Sequence, residues 1–379
     1  MHALPTDIRT PAYVLDVVRL KNNLAAAARI KQETGAKILL ATKAWAMPAA
    51  FPIIRDVLDG TTASGEYEAR LGREEFGKEV HVYAPAYTDG EIKNLVTIAD
   101  HIYFNSPVQI SRFLPIVKKN PAVRIGIRVN PGYSHVTLGG ALYDPCARYS
   151  RFGTLENELD QLPWEAIDIF HVHALCESLH DGSVGLIQHV ARAFAPYLNR
   201  VKAVNFGGGH FINKPGYDVT ALIEAIKTFR AEFKVAVILE PGAGLIVDAG
   251  YLVASVIGIH RNEKDIAILD ASASCHMPDV LEAPYKPPIL GAREPGVYPH
   301  AYILGGKTCM TGDIIGEYSF PKRLAVGDRL IFGDMMQYSF VKNTTFNGTP
   351  LPDIAVLDEN GSYRVLRTFG YEDYRRRLG

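Results

Sequence analysis

Hydrophobic and polar positions along this chain repeat at two different periods. From residue 17 to about 249, short continuous apolar runs alternate with segments whose apolar residues recur every three or four positions. The runs Lys37–Thr42, Thr61–Ser64, Val80–Ala84, His101–Asn105, Val123–Asn130, Ile167–His173, Ala203–Phe206 and Val235–Glu240 read as buried strands. Between most of them, Ser64–Phe76, Ser106–Lys119, Val184–Leu198 and Val219–Phe233 read as amphipathic helices. Ahead of them, Thr10–Asp16 reads as a strand, and Asp16 can cap a helix running to about Thr34. That helix carries Val18, Leu20, Leu24, Ala27 and Ile30 on one face and stops at Gly35. Eight strands with intervening helices predict an α/β fold, a (β/α)8 TIM-type barrel. One connection, from Pro131 to about Trp164, is too long for plain linkage and reads as functional.

After Gly250 the period shortens. Tyr251–His260, Ile266–Asp270, Ala301–Leu304 and Arg329–Phe332 are β-type runs separated by Gly, Pro and Asp. Ile354–Leu357 and Tyr363–Leu366 flank Asn360-Gly361, a hairpin signal. This C-terminal part reads as an all-β domain, with Ala283–Gly296 as a Pro/Gly-rich loop inside it.

Composition narrows the function without choosing it. With 47% hydrophobic and 21% charged residues and a net charge of −1, no field draws the chain to nucleic acid or to an anionic membrane. The first residues lack the apolar core of a signal peptide, and no apolar run is long enough to span a bilayer. Cys146, Cys176, Cys275 and Cys309 are too few and too scattered for a disulfide framework or a zinc site, so no metal is expected and a reducing cytoplasm fits.

Chemistry collects where barrel strands end. Lys43 closes the first apolar run, where an amine is costly unless used; it reads either as a lysine reaching solvent or as a Schiff-base lysine. His173 ends the sixth strand and, alone, reads as a core histidine. Gly207, Gly208 and Gly209 follow the seventh, as a tight turn or a phosphate cradle. Glu240 ends the eighth, before Pro241-Gly242, either as a rim carboxylate or as a partner for a ring nitrogen. Together a lysine, a glycine cradle, a carboxylate and a flat imidazole describe one cofactor, pyridoxal 5′-phosphate.

The ordered set ATKA (41–44), ASGE (63–66), RVNP (128–131), SRFG (150–153), HVHALCES (171–178), GGGH (207–210), EPGAG (240–244), GKTCMTGD (306–313) and YSFVKNTTFNG (338–348) resembles the alanine-racemase-like pyridoxal-phosphate decarboxylases. The resemblance covers nearly the whole chain. It implies that the opening strand joins the β-domain, so residues 17–249 form the barrel and residues 1–16 with 250–379 the β-domain. It also implies Lys43 as the cofactor lysine, His173 stacked on the ring, Gly207–Gly209 and Gly242 at the cofactor, Glu240 at the ring nitrogen and Tyr338 at the phosphate. Cys309 is implied as the proton donor and Asp313 as a substrate contact, both supplied across a homodimer with shared active sites.

Departures from the pattern concern the substrate. Leu175-Cys176, Ala243 and Met310 stand where diaminopimelate decarboxylases carry Gly-Ser, an arginine and a glutamate. Met310 also replaces the aspartate of ornithine decarboxylases. A distal carboxylate is therefore disfavoured, and a long, partly apolar, cationic tail is favoured. The implied substrate is a small carboxylated polyamine, released as polyamine plus CO₂ in polyamine biosynthesis. Glu177, Asp270, His276, Asp279 and Glu282 are candidates to grip the tail, along with Asp313 and Glu240. The alternatives are a diaminopimelate decarboxylase or a non-catalytic carrier of the cofactor.

Overall fold

The computed structural model describes residues 4–136 and 140–379. They divide into two compact units, one formed by residues up to Asn22 with Ile246–Gly379, the other by Asn23–Leu245. The first strand, β1 (Ala12–Asp16), leads into helix α1 (Val17–Thr34). Asp16 accepts from the Arg19 amide at 3.1 Å, so it caps this helix as its position predicts.

The Asn23–Leu245 unit is a closed parallel barrel. Its strands are β2 (Lys37–Ala41), β3 (Gly60–Ala63), β4 (Glu79–Tyr83), β5 (His101–Phe104), β6 (Arg124–Arg128), β7 (Ile169–His171), β8 (Ala203–Asn205) and β9 (Ala236–Leu239). β2 pairs with both β3 and β9, which closes the ring. Alternate residues point inward, where Leu39, Tyr103, Ile169, Ala203 and Ile238 pack together. Gly126 makes room for this layer: a Cβ there would lie 2.2 Å from the Tyr103 ring. The long connection after β6 returns to the barrel. Gly153, at φ 86°, donates to Asn105, and Thr154 bridges Val129.

Two helices differ from the periodic reading. Glu66–Leu71 is α-helical, but Gly72–Phe76 continues as a wider π turn. Gly72 lies hard against Thr61 there, and the wider turn delivers Phe76 into the core. Val184–Leu198 is two helices, His180–Ala193 and Ala195–Leu198, because Pro196 restarts the helical geometry in its first turn.

The other unit is a mixed sheet ordered β13-β12-β11-β10-β1-β15-β16, with a further strand, β14, on β10. Its strands after β1 are β10 (Gly250–Asn262), β11 (Lys264–Leu269), β12 (His300–Gly305), β13 (Ile314–Phe320), β14 (Arg329–Gly333), β15 (Asp353–Leu357) and β16 (Tyr363–Arg367). β1 lies inside it, antiparallel to β10 and parallel to β15. β15 and β16 form the hairpin that Asn360-Gly361 predicts. β13 escapes the periodic reading because Gly316-Glu317 interrupts its alternation. Among the described residues no helix is long and apolar enough to cross a membrane.

Candidate active site

In the barrel the strand ends bring four groups together. Lys43 lies two residues past β2, in the turn that follows it. Its side chain is exposed. Protein nevertheless surrounds it closely enough that burial, then the Arg128 charge, lowers its pKa, against an opposing pull from Glu240. The amine is thus accessible although protein lies close around it.

Glu240 is 5% exposed and is held ionised. Burial alone would raise its pKa, but His171 and the Asn205 amide bring it down to about 2. Asn205 Nδ2 donates to Glu240 Oε1 at 2.7 Å, and His171 Nε2 stands 3.5 Å from Oε2. Burial lowers the pKa of His171 too. Glu240 is the partner that stays ionised in this buried pair, since Asn205 supplies it with a donor that does not titrate.

His173 Nδ1 accepts the Gly208 amide at 2.8 Å, which fixes the ring. Burial and then the Lys43 and Arg128 charges hold this histidine well below its ordinary pKa. Cys176, by contrast, is pushed up to about 11 by burial, so it is a thiol near neutrality.

The glycine run stitches strand ends together. Gly207 and Gly209 have φ of 68° and 85°, and a Cβ on Gly209 would lie 2.3 Å from the Leu175 carbonyl oxygen. The Gly207 amide donates to Asn205 Oδ1 and the Gly208 amide to His173. The hydrogens of these two amides are engaged inside the barrel, on Asn205 and His173. Gly242 packs the end of β9 against the Lys43 turn, 2.6 Å separating its would-be Cβ from the Ala44 methyl. Glu177 is exposed on the loop after His173.

Three barrel residues escaped the reading of strand ends. Arg128 is 5% exposed and lies between the rings of Tyr83 and Phe152, each 4.5 Å away. His171 and Asn205, both buried, flank Glu240. Their signal is faint: a polar residue at an inward position of an otherwise apolar strand.

The β-unit holds the remaining predicted residues. Cys309 is exposed, and its amide donates to Asn347 Oδ1 at 2.7 Å. Asp313 is buried under it, accepting from Thr308 Oγ1 (2.6 Å), Ser272 Oγ (2.8 Å) and the Ala273 amide (2.8 Å). These donors make Asp313 the anchor of the 306–313 loop, which corrects its assignment as a substrate contact. His276 is corrected as well. It is fully buried, with Nδ1 on the Ser272 amide and Nε2 on the Pro350 carbonyl, which spends both nitrogens on the fold. Lys342 bonds Asp279 at 2.5 Å and also Glu282. Asp270 accepts from Thr10 and the Ser255 amide. Tyr338 is half-buried at φ 45°.

The barrel set suits a pyridoxal group on its donor chemistry. Glu240 is an ionised buried carboxylate with more acceptor capacity than Asn205 fills, next to an accessible amine and a fixed imidazole. Comparison with known proteins agrees. The family model described as "Pyridoxal-dependent decarboxylase, C-terminal sheet domain" matches residues 12–336. A carboxynorspermidine/carboxyspermidine decarboxylase of Campylobacter jejuni is 40% identical, over 97% of this chain and 98% of that one. A carboxyaminopropylagmatine decarboxylase of Synechocystis is 42% identical, over 99% and 96%. The crystal structure of the C. jejuni carboxynorspermidine decarboxylase with norspermidine superposes with a TM-score of 0.91 at 39% identity, covering 98% of this chain and all of that one. A diaminopimelate decarboxylase of Deinococcus radiodurans is more distant, 25% identical over 77% and 75%. With its barrel, its mixed sheet and a family match over most of its length, this chain belongs to the pyridoxal-dependent decarboxylases.

Proposed function

We propose that this protein removes CO₂ from carboxynorspermidine or carboxyspermidine, using pyridoxal 5′-phosphate in a homodimer. The observation that carries the reading is Glu240, an ionised carboxylate buried at the barrel end beside the accessible Lys43 amine.

When bound, the cofactor supplies a carbonyl for the substrate amine and an electron-accepting ring for the pair left as CO₂ departs. Lys43 would hold the cofactor carbonyl, and its lowered pKa leaves more of the amine neutral and nucleophilic near pH 7. Glu240 would accept a hydrogen bond from the ring nitrogen and so keep a proton on it, which favours electron acceptance. His173, fixed by Gly208, offers its flat face to the ring. Gly209, Gly242 and Tyr338 would complete the cofactor contacts. Cys309, exposed on its loop, gives a proton to the carbon that loses CO₂, from the second copy of the chain.

Substrate preference follows from Met310, Ala243 and Cys176, which offer no cation for a distal carboxylate. Of the candidates for the amine tail, Glu177 is exposed in the barrel unit and Asp270 half-buried in the β-unit, while Asp279 already shares Lys342. A second reading has the relative of 42% identity in its favour: a guanidinium-ended tail, as in carboxyaminopropylagmatine. Steady-state turnover of purified protein with carboxynorspermidine, carboxyspermidine, carboxyaminopropylagmatine and diaminopimelate decides among them. The expected order places the first two highest and diaminopimelate lowest. A preference for diaminopimelate, or no CO₂ from any of the four, defeats the proposal.

A further inference from the structure

Below Glu240 the barrel interior holds a column of polar side chains where apolar layers are usual. Asn205 uses both hydrogens of its amide: one goes to Glu240 Oε1 at 2.7 Å, the other to the Tyr103 hydroxyl at 3.0 Å. Its oxygen accepts the Gly207 amide at 2.8 Å, so the orientation of the amide has one solution. The Tyr103 hydroxyl meets His81 Nδ1 at 2.8 Å, and His81 Nε2 meets Glu79 Oε2 at 3.2 Å. Lys37 pairs with the other oxygen of Glu79. Tyr103, His81 and Asn205 are all fully buried.

The bonds run in one direction. The Glu79 carboxylate only accepts, so His81 Nε2 carries the hydrogen. His81 Nδ1 accepts the Tyr103 O–H hydrogen, since the Tyr103 oxygen is already the acceptor for the Asn205 amide. The second hydrogen of that amide goes to Glu240. The His81 hydrogen bond, followed by Lys37, holds Glu79 down at about 2, which keeps this end of the column an acceptor. An amide that donates both hydrogens passes no proton on, so the column orients and does not conduct. Glu79, His81 and His101 also bring ligand-type atoms within 4.8 Å of one another. The column uses both His81 nitrogens, however, and the His101 ring is stacked on His81 at 3.8 Å, so no shared lone-pair direction is left for a cation.

We propose that Asn205 is a positioning residue for Glu240, set in place by Tyr103, His81 and Glu79 down the barrel axis. This rests on the decarboxylase reading above and deepens it. The role of the column is to aim the Glu240 carboxylate and to hold it ionised by a hydrogen bond that survives changes of pH.

Asn205→Leu and Tyr103→Phe test this, the second keeping the ring that fills the space at Gly126. Two quantities are read: the dissociation constant of the apoprotein for pyridoxal 5′-phosphate, by absorbance titration, and kcat, set against KM, at saturating cofactor and neutral pH. Loss of the Asn205 donor leaves the Glu240 carboxylate less firmly aimed, so kcat falls about tenfold in Asn205→Leu while KM stays within about twofold. Cofactor affinity falls about tenfold, and Tyr103→Phe moves both quantities the same way by a smaller amount. Unchanged affinity and kcat in both variants, with only a lowered melting temperature, overturn the assignment of Asn205 while leaving the functional reading intact. A wild-type protein that binds no pyridoxal 5′-phosphate overturns both.

Discussion

At Lys43 opposing influences meet on one amine: enclosure and Arg128 favour its neutral form, Glu240 its charged form, and the first two prevail. Lys43, His173 and Glu240 were legible in the sequence because each is a polar residue that closes an apolar run. Arg128 was not, although it lies in a quoted motif, because its meaning comes from Tyr83 and Phe152 on other segments. The proposed proton donor is testable at this scale. Cys309→Ala should retain the visible absorption of the bound cofactor while turnover falls about a hundredfold or more, measured as CO₂ release. Turnover within a factor of two of wild type removes Cys309 from that role. Its exposed side chain and its separate unit make a purely structural loss of activity a poor explanation.

Short elements do much of the aiming. The Gly207–Gly209 turn was legible as glycine-rich, but its purpose changed once its amides were located. Two of them bind Asn205 and His173, so the run ties the ends of β7, β8 and β9 to one another. Gly209→Ala should destabilise the fold by about 2–4 kcal/mol, from a left-handed backbone and a clash with Leu175, read as a lower denaturant midpoint. A midpoint equal to wild type means the turn relaxes and the glycine is dispensable. In the β-unit, Asp313 does the comparable work for the 306–313 loop, with side-chain and backbone donors from two segments converging on it. Its residue type and motif were readable; its burial, which decides between anchor and ligand, was not.

Across the whole molecule, buried histidines couple stability to pH. Burial drives His210 and His276 down to about 4 and His101 to about 3, against an ordinary value near 6.5. For such groups the unfolded chain takes up protons that the folded one refuses, so stability is complete above about pH 6.5 and is lost as pH falls toward 4. His210 and His276 should each cost on the order of 1–3 kcal/mol by pH 4. Melting temperatures measured from pH 7.5 to 4.5 should fall steeply below 6.5, and His276→Gln should soften that fall. A melting temperature flat across this range contradicts the argument.

The number and order of strands, the change of texture after Gly250 and the residues able to carry imine and carboxylate chemistry were set by the sequence alone. Periodicity and strand-end chemistry are local properties, and a barrel repeats them eight times. Which side chains meet was decided only by the tertiary structure, because the contacts join residues far apart in the chain. Asn205 reaches Glu240 and Tyr103 across neighbouring and distant strands, and His276 turns inward to spend both nitrogens on backbone groups. Burial also decided where charge survives. Glu240 remains a carboxylate in a buried place because a neutral amide and an imidazole are folded against it.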